Sequence, residues 1–276
     1  MKNKCGITQK QIGATDEAPS LTINKLGIVS RNYTFKFPNG YRDFSHVMPD
    51  VLKSLDKNKC DAVLFSLYSI VPRKSFDLHA SLRRLRNIKM VLFEKFIDGQ
   101  NCPPRGREYR CPLQYVIYHR TLKRWQKYEL KQWYGTLKEI GPRCMACFVE
   151  NELPRRVLGN CCVLICGETN GVHYSDRDRR VHDDFCLREK IPRNVKIILN
   201  PIHDRMGYDH KTIPKRKFLS ENERWTVSVW NKGKKYKNGK VKKENQPAWT
   251  VYHDGEEIAV APMKKQFGVE VGIINI

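Results

Sequence analysis

The stretch CCVLICGETNGV, residues 161–172, sets an unbroken apolar run against a turn. Cys161–Cys166 reads as a strand buried on both faces, with the adjacent Cys161 and Cys162 on opposite sides of it. Gly167 lets the chain turn sharply at the strand's end. Ser175 stands three residues before Asp178, a pairing that predicts the opening of a helix. That helix would carry Val181 and Phe185 inward and Arg177, Arg179 and Arg180 outward. A strand that runs into such a turn presents the side chain at the turn, Cys166, where a nucleophile is useful. The backbone N–H groups that follow, Gly167 first, can face a developing oxyanion. Cys166 is therefore a candidate nucleophile, and its competing reading is a small buried hydrophobe.

Working outward, apolar runs and spacings predict alternating strands and helices. LTINKLGIV (21–29), DAVLF (61–65), KMVLF (89–93) and LQYVIY (113–118) read as strands. Val47, Val51, Leu52 and Leu55 recur at helical spacing, with Pro49 tolerable in a first turn. Leu78, Leu82 and Leu85 form a second helical stripe. Later, VKIIL (195–199), WTVSVW (225–230), AWTVYH (248–253) and EIAVA (257–261) complete the strands. Asp-Gly between the last two is a strong hairpin signal. Alternation early and strand pairs late indicate one α/β domain of layered sheets over residues 21–276, preceded by a polar tail at 1–20.

Composition bounds the function. The chain has 276 residues, 40% of them apolar and 10% aromatic, which excludes an intrinsically disordered chain. Its longest apolar run is Cys161–Cys166, far short of the ~20 residues of a spanning helix, so no membrane partner is expected. The polar N-terminus shows no apolar leader, so the expected compartment is the cytoplasm and the ten cysteines are expected as reduced thiols. Cys144 and Cys147 form a lone CxxC without a second ligand pair, and neither a metal nor a cofactor is expected.

Charge points to an acidic partner. Fifty-one Lys and Arg against 29 Asp and Glu leave a net +22, which favours nucleic acid, an anionic protein surface or an anionic small molecule. Seven lysines, Lys232, Lys234, Lys235, Lys237, Lys240, Lys242 and Lys243, crowd the twelve residues 232–243. They read as a loop between strands, either a solvated tip or an anion-contacting segment. Residues 102–138 interleave nine basic residues with seven Tyr and Trp, a pattern that can track a phosphate backbone and stack bases.

Several of these segments together resemble the nitrilase (carbon–nitrogen hydrolase) superfamily. ICGETN is similar to the family's nucleophile motif, with Thr169 intervening before Asn170. WQKYEL (125–130) is similar to its lysine motif and puts Lys127 at the catalytic lysine, 39 residues before Cys166. VKIILNP, ENERWTVSVWN (221–231) and AWTVYHDGEEIAVAP resemble the later strands in the right order. The resemblance implies an α-β-β-α sandwich that pairs as a homodimer. It also implies hydrolysis or acyl transfer at an amide-type C–N bond through Cys166, with Lys127 stabilising the charge that develops.

The chain departs from the family at its general base. The matching segment DAVLFSLYSI carries Ser66 and Leu67 where the family has Pro and Glu, and neither Ser66 nor Ser69 can replace a carboxylate. Glu94, ending KMVLFE, is one substitute; His203, in NPIHDRMG beside Asp204, is another, since a Cys–His pair restores nucleophile activation. His173 is a weaker candidate, and Glu168 reads as a loop residue bonded to backbone. Loss of a positioned base costs ~10²–10⁴ in rate. The alternative function is therefore a nitrilase-fold protein without turnover that binds nucleic acid or a protein through its basic surface.

Overall fold

Short apolar runs such as AVLF (62–65) and MVLF (90–93) in the first half of the chain form neighbouring parallel strands. The computed structural model describes residues 21–32, 47–67, 78–96, 113–120, 124–135, 141–204, 209–233, 248–263 and 268–276. The first sheet contains β1 (Lys25–Arg31), β2 (Ala62–Phe65), β3 (Met90–Phe96), β4 (Leu113–Arg120) and β5 (Trp125–Leu130). The second contains β6 (Val157–Leu158), β7 (Cys161–Val163), β10 (Ile197–Asp204), β11 (Trp225–Asn231), β12 (Trp249–His253) and β13 (Glu256–Glu257). A short hairpin, β8 (His173–Ser175) and β9 (Arg180–His182), lies outside both, and β14 (Val269–Asn275) returns to the first.

Strand order is β14-β1-β2-β3-β4-β5 in one sheet and β13-β12-β11-β10-β7-β6 in the other. Each has a parallel centre, β1-β2-β3 and β7-β10-β11, with antiparallel strands on its flanks. The faces follow the two-residue period of a strand. Ala62, Leu64, Met90, Leu92, Cys161, Val163, Ile197 and Leu199 share one core between the sheets. Val63, Phe65, Val91 and Phe93 turn the other way, onto α1 (Met48–Lys57) and α2 (Leu78–Arg83). Cys162, Leu164 and Ile198 turn onto the layer holding α3 (Pro142–Cys147), α4 (Leu187–Lys190) and α5 (Asp209–Ser220). The result is the expected α-β-β-α sandwich, and Cys161 and Cys162 do face opposite layers.

Three local expectations change. Ser175 and Asp178 do hydrogen-bond, and the hydroxyl holds the carboxyl below its ordinary range, but across a hairpin turn rather than at a helix start. Asp178 also accepts from Arg180 N at 3.2 Å and contacts His182 Nε2 at 2.7 Å. Arg179 takes the left-handed conformation the turn needs, φ 57°. Val181 thus lies on β9 and not on a helix. At the last hairpin, Asp254 and Gly255 both have positive φ, 46° and 80°, the geometry that matches strand twist. Its second strand stops at Glu257, however, although Ile258 N still donates to Val251 O at 2.8 Å. α5 and β14 are additional. α5 carries little apolar periodicity and Pro214 in its interior, so its pattern gives no helical signal.

The carboxyl ends of the two parallel centres are tied together by polar groups. Asn231 Nδ2 donates to Leu67 O and to His203 O, both at 2.8 Å, and Ser66 Oγ bonds Asn231 Oδ1 at 2.7 Å. Leu67 N donates to Ile202 O at 3.3 Å, Lys232 N to Arg31 O at 2.7 Å, and Ser30 Oγ to Trp230 O at 2.6 Å. β10 shifts register against β11 between Pro201 and Asp204; Pro201 has no N–H to donate, which suits it to an irregular position. Asn231→Leu strands two carbonyls and a hydroxyl in a buried seam. Because an unsatisfied buried group costs about 1–3 kcal/mol, urea denaturation of this variant should show a loss of about 2–4 kcal/mol.

Candidate active site

Ligands of open α/β sheets bind beyond the carboxyl ends of parallel strands, and in this chain those ends hold Cys166, Glu94 and His203. Cys166 follows β7 and begins a 3-10 turn, Cys166–Gly171. It adopts φ 47°, so the sharp bend expected of Gly167 is made by the cysteine itself. A non-glycine residue in that conformation costs about 1–3 kcal/mol and persists only where its surroundings over-determine it.

The surroundings are polar and buried. Asn200 Nδ2 donates to Leu164 O at 2.6 Å and to Cys166 O at 3.2 Å, and Ser228 Oγ holds Asn200 Oδ1 at 3.0 Å. Glu168 is wholly buried. Its carboxylate accepts from Ile165 N at 2.8 Å, Trp133 N at 2.7 Å and Arg156 Nη2 at 2.9 Å. Arg156 also donates to Lys131 O at 2.8 Å. Tyr134 OH donates to Glu168 O at 2.6 Å, and Asn170 Nδ2 to Gly135 O at 2.6 Å. Residues 131–135 therefore form a strap over the turn. Gly167 allows this contact, because a Cβ there would stand 2.1 Å from Gly135 O. Burial raises the Glu168 carboxyl to about 7 against the opposing pull of Arg156 and the two amides. Glu168 is thus the backbone-bonded residue its sequence position suggested, and it holds the shape of the nucleophile turn.

His203 joins the remaining candidates. Its imidazole is close enough to the Cys166 thiol for the two to interact, and its Nε2 lies 3.2 Å from Glu94 Oε2. Glu94 has a side chain only 7% exposed, against 22% for His203. Burial pushes the imidazole pKa down, but the bonds to Cys166 and Glu94 outweigh it and bring the value to about 9. Cys166 packs against the core between the sheets. Thiol, imidazole and carboxylate thus form one chain of contacts bridging the two sheets.

Lys127 is not part of it. On β5, Leu130 faces the core between the sheets, so Lys127 faces the opposite side. Its cross-strand neighbour Tyr118 and its strand mate Trp125 pack in the outer cluster with the helices. The ammonium is 43% exposed and pairs with Glu129 at 2.5 Å. The expectation of Cys166 and Lys127 side by side is overturned: the first sheet lies between them.

Leu67 is buried among apolar side chains, and Ser66 serves the seam. Ser69 and Lys234, Lys235, Lys237, Lys240, Lys242 and Lys243 lie outside the described residues. Lys232 is a structural cation, with Nζ 3.1 Å from Glu270 Oε1, rather than a member of an anion-binding loop. His173 stacks on His182 with ring centroids 5.1 Å apart, in the hairpin outside both sheets. Among the described residues no group of three His, Cys, Asp or Glu side chains is placed to hold a metal ion. Arg156 escaped sequence reading, since Arg155-Arg156 looks like any exposed basic pair until the fold buries one of them.

The Arg156–Glu168 pair can be broken from either side. Arg156→Met leaves a buried carboxylate with two amides only and should cost about 3–5 kcal/mol in denaturant unfolding. The Glu168 value lies above its ordinary 4.5, so its contribution to stability is complete below that pH and falls as pH climbs to about 7. Glu168→Gln should flatten the stability profile across that window.

No protein family's sequence pattern matches the chain, and no curated protein matches it. Solved structures do. The NitN amidase from Nesterenkonia sp. AN1 superposes with a TM-score of 0.47 at 13% identity, covering 91% of this chain and 92% of the other. Nit3 of Saccharomyces cerevisiae, described as a member of branch 10 of the nitrilase superfamily, gives 0.45 at 9%, covering 94% and 92%. A carbon–nitrogen hydrolase from Helicobacter pylori G27 gives 0.45 at 11%, covering 93% and 90%. The chain is thus similar to nitrilase-superfamily structures over nine-tenths of its length, and at these values its chemistry has to be read from its own residues.

Proposed function

We propose that this protein is a thiol-dependent acyl-transfer enzyme or hydrolase acting on an amide-type C–N bond. The observation that carries the reading is His203 placed between the Cys166 thiol and the buried Glu94 carboxylate. Such an arrangement is the usual way to activate a thiol nucleophile. Glu94 orients the imidazole and stabilises its charged form, as a third group does in other nucleophile–base pairs. It also supplies the carboxylate that Leu67 cannot.

The steps balance on these groups. The Cys166 thiolate adds to the carbonyl carbon, and the π pair moves to oxygen; the Gly167 amide is the nearest backbone donor in sequence for that charge. As the tetrahedral adduct collapses, the C–N bond breaks and the imidazolium of His203 protonates the departing nitrogen. Water then adds to the thioester while His203 takes its proton, and the acid leaves as the thiol is restored. The choice of a C–N bond rests on the sequence resemblance of ICGETN and the segments that follow it.

Alkylation by iodoacetamide, read by peptide mass spectrometry, tests the nucleophile. Cys166 should label faster than Cys60, Cys161 and Cys162, whose thiols burial pushes up. His203→Gln should slow that labelling about 10-fold at pH 7, because the thiol loses the imidazole that takes its proton. Uniform labelling would sink the proposal. Amide turnover should fall above pH 9, where His203 loses the proton it donates, while alkylation persists there.

The net charge of +22 supports a second reading, an anionic partner bound on the surface. In a gel-shift assay with duplex DNA, retardation should weaken steeply between 50 and 200 mM salt, roughly as one counterion is released per phosphate contacted. Binding indifferent to salt would remove it.

A further inference from the structure

The Tyr115 hydroxyl is buried and, among the described residues, unpaired. The residue is 2% exposed and sits on β4 directly opposite Glu94 in antiparallel register. Tyr115 belongs to the core between the sheets, as do Leu67, Leu130 and Ile202. Met90 and Leu92, four and two residues before Glu94, turn into the same core, so the Glu94 side chain shares that face. Among the described residues the Tyr115 hydroxyl has no hydrogen-bond partner.

An orphaned buried hydroxyl costs about 1–3 kcal/mol, and folded proteins keep few of them. Phenylalanine would fill the same space without that cost. A hydroxyl held at this position, one side chain from the Glu94–His203–Cys166 chain, has the character of a donor awaiting a ligand. Burial, reinforced by the Glu94 carboxylate, keeps the phenol well above its ordinary range. The shift favours the protonated phenol, which keeps an O–H to donate.

The site also has a role unfilled. Lys127, which the resemblance placed beside the developing charge, lies on the far face of the first sheet. We propose that the Tyr115 hydroxyl is the side-chain donor to the carbonyl oxygen of the substrate, acting with the Gly167 amide as Cys166 adds to the carbonyl carbon. The role rests on the acyl chemistry proposed above. The hydroxyl donates a hydrogen bond and transfers no proton; the oxyanion pair returns to the carbonyl when the C–N bond breaks, and His203 alone protonates the nitrogen. A neutral donor beside Leu67, Leu130 and Ile202 suits an uncharged, apolar acyl group, and the nearby Glu94 disfavours a second carboxylate on it.

Tyr115→Phe separates this role from a structural one when three quantities are read on the full-length protein. They are acylation of Cys166 by acetic acid p-nitroanilide, alkylation of Cys166 by iodoacetamide, and the thermal midpoint. Acylation builds an oxyanion and should slow about 10²-fold, as for loss of one oxyanion donor. Alkylation builds none and should stay within twofold, and the midpoint should hold or rise because the orphan is gone. Acylation unchanged in Tyr115→Phe overturns the role. So does a joint fall of acylation, alkylation and midpoint, which would mark the hydroxyl as structural. If the unaltered protein alkylates at Cys166 but forms no acyl adduct, the acyl chemistry itself falls, and the Tyr115 role with it.

Discussion

Two parallel-centred sheets that meet at their carboxyl ends must bury strand termini together, and buried polar backbone groups must be paired. That constraint organises this molecule. Asn231 satisfies carbonyls from both sheets and takes the Ser66 hydroxyl as well. The irregular end of β10 supplies one of those carbonyls and, at the same residue, the imidazole that reaches Glu94. Closure of the sandwich and assembly of the candidate site are therefore one event. A change that opens the seam displaces His203 as directly as a change at the imidazole.

The nucleophile turn solves the same problem on a smaller scale. Glu168 enters the interior only because Arg156 and two backbone amides meet it there. Replacing such a pair with apolar residues is often neutral, whereas removing one partner is costly, so the pair is better understood as fixing geometry than as supplying net stability. What it fixes is a cysteine in the left-handed conformation with the 131–135 strap lying against Gly167. The neighbouring sulfur then faces the inter-sheet side, where His203 and Glu94 stand.

Lys127 matches a motif by sequence, but a strand alternates faces every residue, and one residue of phase decides between cavity and exterior. Leu67 already lies in the core between the sheets, where an apolar side chain cannot act as a base. Lys127 falls on the exterior phase with Tyr118 and Trp125. On the interior phase β3 and β4 present Glu94 and Tyr115, and β10 adds His203. A carboxylate, a phenol and an imidazole from these strands thus face the interior between the sheets or its edge, whereas Lys127 does not.

From its sequence alone this chain declared the parallel strands, the first helix, the last hairpin and the thiol at the end of CCVLIC, because continuous apolar runs, helical spacing and Asp-Gly turns are local signals. It also declared the sandwich, through the order of its segments. Tertiary structure decided the rest. Ser175 and Asp178 pair across a hairpin and not at a helix, since the same two residues can serve either turn until neighbours choose. α5 and β14 exist because packing and pairing outweigh weak local pattern. The grouping of Cys166, Glu94 and His203, residues up to 109 positions apart, depends on strand phase and on which ends of two sheets converge, and neither is written in any one segment.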